Sequence, residues 1–315
     1  MRGSVALGCV IAALIGTLAA VALVGCGNVE PAVETAPPAP LEDRARITPP
    51  MWDNDAPPAA VACEKPAPLH VHHDEAGRVD RLHVQLSAHG TLGEYLLDTG
   101  SLTSFVTRSG DGTDTSANAS IFCRSTTLPI IARLRPGTTP DGLPQAGVLG
   151  SDLVTDGSVL DLDLVNGRLE WYDPAPAVPA GAMVVPIEMR NGWLVASGIT
   201  VQGRTVKLIV DTGASNIVVV GKTPRLGEVR EDTVDGTSSA ITLYHAEGDV
   251  DLGDGVVRHL PVDRTDSFDT LEGLIASLGG DIAGLLGLTA LGRQRIVIGE
   301  SSMMLVLSPV TANPD

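Results

Sequence analysis

The sequence predicts an all-β protein made of two similar lobes on one chain, and three observations carry that prediction. Aromatics are scarce, Gly (35) and Pro (22) are plentiful, and Val and Leu dominate, a composition that suits many strands joined by turns. Short stretches alternate apolar and polar residues with period two and are punctuated by turn residues. The third observation is internal duplication. Leu96-Leu97-Asp98-Thr99-Gly100-Ser101 returns as Ile209-Val210-Asp211-Thr212-Gly213-Ala214, and Gly147-Val148-Leu149-Gly150 returns as Gly284-Leu285-Leu286-Gly287.

The elements follow in order. Residues 1–25 carry Arg2 and then an uncharged apolar run ending in Leu23-Val24-Gly25-Cys26, long enough to be weighed as a membrane anchor. The four residues before and including Cys26 resemble the bacterial lipobox, which implies a cleaved signal at 1–25 and lipidation of Cys26. Gly27 rather than Asp follows, so the resemblance favours the outer over the inner membrane. Residues 26–78 are crowded with prolines, including Pro37-Pro38, Pro49-Pro50 and Pro57-Pro58, and read as a stiff tether that holds the folded part away from the lipid.

The first lobe is expected over 79–172. Strands at 79–87 and 92–97 form a hairpin that delivers Asp98, strands follow at 120–123 and 128–134, a helical turn starts at Ser151, and a closing hairpin, 159–165 and 168–172, bends at Asn166-Gly167. A Pro/Ala linker covers 173–182. The second lobe, 183–308, repeats the scheme, with strands at 184–189 and 193–201, a turn at Gln202-Gly203-Arg204, and 205–210 leading to Asp211. A hairpin around 234–244 and a short helix at 270–278 are further expectations, and residues 309–315 form a tail.

A net charge of -17 argues against nucleic acid, whose counterions must be replaced by Lys and Arg. In an oxidising compartment, Cys63 and Cys123 are expected to form a disulfide; two unpaired buried thiols are the alternative. His70-Val71-His72-His73-Asp74 contains metal-ligand types, but at the end of a tether it reads as a solvated polar cluster, and no metal or cofactor is expected. No Gly-x-Ser-x-Gly elbow or phosphate-binding Gly loop is present.

The two Asp-Thr-Gly loops and their apolar-apolar-Gly partners resemble the aspartic proteases of the pepsin and retropepsin clan, over roughly residues 79–308. The spacing of 113 residues from Asp98 to Asp211 is nearer to two joined retropepsin-sized units than to pepsin's longer halves. The resemblance implies two retropepsin-like β-barrel lobes in a pseudo-two-fold, pepsin-like bilobed molecule. It also implies an endopeptidase whose catalytic residues are Asp98 and Asp211. Two carboxyls about 3 Å apart cannot both ionise, so they would share a proton and activate a water. Gly100 and Gly213 would bring backbone N–H groups to the acids, and Thr99 and Thr212 would link the loops across the axis.

Ser101 differs from Ala214 at the next position. Its hydroxyl is expected to favour the charged form of its own acid, making the two acids inequivalent and the activity optimum less acidic than that of a doubly hydroxylated site. The hairpin around 234–244 could form the family's flap over the substrate, with the lobe that covers the cleft left open, and Tyr244 itself is expected in a strand core. The implied partner is a peptide or protein substrate and the implied assembly a monomer. Two alternatives stand beside it, an inactive peptide-binding or scaffold lipoprotein and a dimer in which each lobe pairs with its twin.

Overall fold

The computed structural model describes residues 67–88, 91–108, 115–121, 124–132, 139, 145–154, 159–172, 181–220, 230–235, 240–265, 278, 281–292, 295–299 and 304–308. Strand dominates them. The signal, most of the tether, the linker at 173–180 and the tail lie outside the described residues, as do Cys26, Cys63 and Cys123 and the expected helix apart from Leu278.

Among the described residues, nineteen strands run in chain order. In the first half they are β1 (Ala67–His73), β2 (Val79–Ala88), β3 (Thr91–Leu97), β4 (Phe105–Arg108), β5 (Ser116–Ile121), β6 (Arg124–Ala132), β7 (Gln145–Leu149), β8 (Val159–Asp163) and β9 (Arg168–Tyr172). The second half holds β10 (Met183–Arg190), β11 (Trp193–Val201), β12 (Arg204–Val210), β13 (Ile217–Val220), β14 (Arg230–Asp235), β15 (Ala240–Asp251), β16 (Val257–Thr265), β17 (Ile282–Leu286), β18 (Arg295–Gly299) and β19 (Met304–Ser308). A 3-10 turn, Ser151–Val154, follows β7, and a single α-turn, α1 (Leu288–Leu291), follows β17 at the matching place.

The pairing map repeats. β1–β2–β3 and β10–β11–β12 are antiparallel meanders. β3 runs parallel to β7 as β12 does to β17, and β4 lies between β6 and β7 as β13 lies between β16 and β17. β14 stands apart: it forms a hairpin with β15, in the region expected around 234–244, and no described strand of the first half takes the corresponding place. A six-stranded antiparallel sheet, β1-β9-β8-β18-β19-β10, joins the halves, three strands from each. At its middle, Leu160 and Leu162 of β8 pair with Ile298 and Ile296 of β18, and Arg295 makes a two-pronged ion pair with Asp161 across the same seam.

Local chemistry explains the sharp turns. Asn191-Gly192 and Gln202-Gly203 take positive φ at both central residues, the two-residue turn whose twist matches that of flanking strands. Between β8 and β9 the loop is longer, and the Asp163 carboxylate accepts the N–H groups of Val165 and Asn166. The ends of β3 and β12 are different in character. Leu96-Leu97 and Leu208-Ile209-Val210 are fully buried without alternation, because a strand paired in parallel inside a sheet is covered on both faces.

Three expectations are corrected. The stretch 26–78 is not all tether, since β1 begins at Ala67 and pairs with both β2 and β9. The histidines at 70–73 therefore belong to a strand: His70 Nδ1 lies 3.1 Å from Glu94 Oε2, and the His72 ring meets His83 edge-on at 5.0 Å. The strand expected at 120–123 is instead β5, Ser116–Ile121, and the next is β6, Arg124–Ala132.

Candidate active site

Each Asp-Thr-Gly sits where a buried strand ends and the chain turns. The Asp98 N–H donates to the Leu149 carbonyl at 2.8 Å and the Asp211 N–H to that of Leu286 at 3.0 Å, so the parallel partners β7 and β17 hold the two acids by the same bond. Ser101 N–H then closes a turn onto the Asp98 carbonyl at 3.0 Å, and Ala214 N–H closes the same turn onto Asp211 at 3.2 Å. Ser151 N–H and Leu288 N–H complete the match by donating to the carbonyls of Ser101 and Ala214, at 2.7 and 2.9 Å. Gly147 and Gly284 permit the crossing behind the loops, since a Cβ on either would overlap the neighbouring strand's carbonyl, Phe105 or Val218.

The structure brings the two loops together. Thr99 N–H donates to Thr212 Oγ1 at 3.0 Å and Thr212 N–H to Thr99 Oγ1 at 3.1 Å. Each hydroxyl then donates onward, Thr99 to the Val210 carbonyl (2.7 Å) and Thr212 to that of Leu97 (2.9 Å). Gly100 and Gly213 have no side chain for a steric reason. A Cβ on Gly100 would overlap the Asp211 carboxyl, and one on Gly213 would overlap that of Asp98.

Asp98 and Asp211 are both 0% exposed and interact directly. Burial is the largest influence on each and raises both above the ordinary carboxylate range. The neighbouring Asp211 charge raises Asp98 further, whereas Asp211 is drawn down by a hydrogen bond from Asp98. Two backbone donors reinforce the difference: Gly213 N–H and Ala214 N–H both reach Asp211 Oδ1, at 2.9 and 3.1 Å. At Asp98 the Gly100 N–H exerts the same pull without closing a hydrogen bond. Neither Asp98 oxygen nor Asp211 Oδ2 receives a donor from the other described residues, and a single proton shared between the carboxyls would satisfy them. The backbone donors on Asp211 Oδ1 favour the charge there and the proton on Asp98.

This polarity corrects the expectation for Ser101. Its hydroxyl donates to the Thr103 carbonyl at 3.0 Å rather than to Asp98, so it gives no support to a charged Asp98. The acids are inequivalent for another reason, the backbone donors on the Ala214 side. Tyr244 also departs from its expected core position, being half-buried on β15 with the Arg264 guanidinium 4.5 Å above its ring.

Several residues near the loops were not singled out from the sequence. Arg81, only 4% exposed, reaches from β2 into the second half, where its Nη1 donates to the Gly213 carbonyl and to Ser215 Oγ, both at 3.4 Å. Ser215 Oγ in turn donates to the Asp80 carboxylate. Behind the first loop, Asp152 accepts from Ser104 N–H (2.9 Å) and Oγ–H (2.6 Å), while Gly150 N–H donates to that same Oγ at 2.9 Å. Burial holds Asp152 up at about 6 despite these bonds. The signal for Arg81 and Asp80 was their place in an alternating strand, where polar positions usually face water; here Val79 through Val84 are all buried.

Among the described residues, no group of three or more His, Cys, Asp or Glu is arranged to hold a metal. No protein-family model matches the chain, and no curated protein matches it either.

Proposed function

We propose that this chain is an aspartic endopeptidase of the pepsin and retropepsin clan, with one retropepsin-like lobe in each half and one site between them. The observation that carries the reading is the meeting of two wholly buried carboxyls, each at the end of an equivalent strand and each set against the other loop's glycine. Keeping two acids so close is costly, and a shared proton gives them a chemical use.

The reaction then runs without a covalent intermediate. Ionised Asp211 takes a proton from a water as its oxygen attacks the peptide carbonyl carbon, and Asp98 gives its proton to the carbonyl oxygen. A neutral gem-diol results, with Asp211 protonated and Asp98 ionised. In the second step the C–N bond breaks: Asp211 protonates the leaving nitrogen and Asp98 recovers a proton from a diol hydroxyl. The products are an acid and an amine, and the resting protonation state is restored. Because both acids are 0% exposed, substrate entry requires the surrounding chain to part. The hairpin β14–β15 is the segment this reading assigns to cover the substrate.

The same reading has the protein exported and lipid-anchored to a bacterial membrane through Cys26, favouring the outer membrane. It acts there on peptides or proteins as a monomer, without cofactor, and with Cys63 bridged to Cys123. The test is digestion of a peptide library by wild type, Asp98→Asn and Asp211→Asn, with mass in solution measured alongside. Cleavage by wild type that disappears in both variants is expected; cleavage that survives both would rule the mechanism out.

A further inference from the structure

The pairing registers identify equivalent positions in the two halves. His83 pairs with Leu96 and Val195 with Ile209, and each of these partners lies two residues before its Asp. Counting back along the strands, Arg81 corresponds to Trp193 and Asp80 to Gly192; counting forward from the acids, Leu102 corresponds to Ser215. The equivalent joints between the halves are therefore opposite in chemistry. At one, Asp80, Arg81 and Ser215 form the polar contact described above. At the other, Leu102 packs against the cluster around Trp193, close over the space left by Gly192.

We infer that Arg81 is a positioning residue for the paired acids: its guanidinium, sent from the first half onto Gly213 and Ser215 of the second, fixes the Asp211 loop and gives the shared-proton anion a buried counter-charge. A buried guanidinium stays charged, and charges out of water act strongly over short distances. Arg81 lowers the proton affinity of both acids, in partial opposition to their burial. Trp193, in the equivalent place on the other side, carries no such charge.

Among the described residues, the titratable groups near Arg81 come from β1, β2 and β3. On β1 it pairs with His72; along β2 lie Asp80 and His83, the latter held neutral by burial, which pushes it down to about 3. β3 carries Glu94, near Gln85 toward the far end of the strand, and neither β5 nor α1, both packed on β2, has a titratable residue.

The inference deepens the proposed function and rests on it only where activity is read. The test follows the aspartate carboxyl carbons by 13C NMR against pH in the full chain, with Asp98 and Asp211 assigned from their Asn variants. Replacing Arg81→Met is expected to raise both midpoints of the pair by about one pH unit or more, and Arg81→Lys by less. Both limbs of any pH–activity profile should move up with them. Ser215→Ala, which removes the guanidinium's hydroxyl partner, should shift the midpoints the same way by a smaller amount, and it serves with the Lys variant if the Met variant does not fold. Folded variants that melt earlier but titrate like wild type would make Arg81 merely structural and overturn the inference. The titration reads Arg81 even if the wild-type chain cleaves nothing, so failure here and failure of the protease reading are distinguishable.

Discussion

Thr99 and Thr212 bond each other reciprocally, each backbone N–H donating to the other's hydroxyl. All four groups are buried, so removing one hydroxyl leaves an N–H without an acceptor and a carbonyl, Val210 or Leu97, without its donor. Thr99→Val and Thr212→Val are each expected to cost about 1–3 kcal/mol by denaturant titration. Thr→Ser at the same positions keeps the hydroxyl and should recover most of that loss. Val variants as stable as wild type would show that the reciprocal bonds do not hold the loops.

The paired acids carry a stability signature of their own. Both folded proton affinities are raised above those of the unfolded chain, so the folded state holds more protons between those values. Stability is therefore greatest below the ordinary carboxylate range and is lost as pH rises through the raised values. Asp98→Asn removes one titrating member and leaves an amide to donate to Asp211. It is expected to be more stable than wild type at pH 7, on the order of 1–3 kcal/mol, with the advantage shrinking toward pH 3. Melting curves at the two pH values check this, and a deficit that is the same at both would contradict it.

Ser101→Ala makes a sharper distinction. A hydroxyl bonded to Asp98 would shift the acid's titration when lost, but here it bonds the Thr103 carbonyl. The expected result is a loss of about 1 kcal/mol in stability with the pH dependence of activity unmoved. A profile displaced by half a unit or more would restore the role first expected of Ser101.

Asp152 offers a second linkage measurement away from the paired acids. Its folded value of about 6 lies above the ordinary 3.8, so the carboxyl is held protonated where the unfolded chain has already released its proton. Its contribution is fully present below about pH 4 and is lost as pH rises to about 6, a swing on the order of 3 kcal/mol. Asp152→Asn, which keeps the shape and an acceptor for Ser104 N–H, should flatten stability across that window. An unchanged slope between pH 4 and 7 would show that Asp152 titrates normally.

Local chemistry in the chain was enough for the strands that bring Asp98 and Asp211 to their turns, the Asn191-Gly192 and Gln202-Gly203 hairpins, and the repeat of one scheme in two halves. Side-chain period and turn propensity act between near neighbours, so these features are written where they occur. The first strand escaped because Pro66 and Pro68 gave its surroundings the composition of a tether, while its pairing with β2 and β9 comes from elsewhere in the fold. Tertiary structure alone decided which acid the backbone donors face, where the Ser101 hydroxyl points, and that Arg81 reaches a loop 132 residues away. Proton affinity answers to the charges and donors within a few ångströms in space, and the chain brings those together only when its halves close on each other.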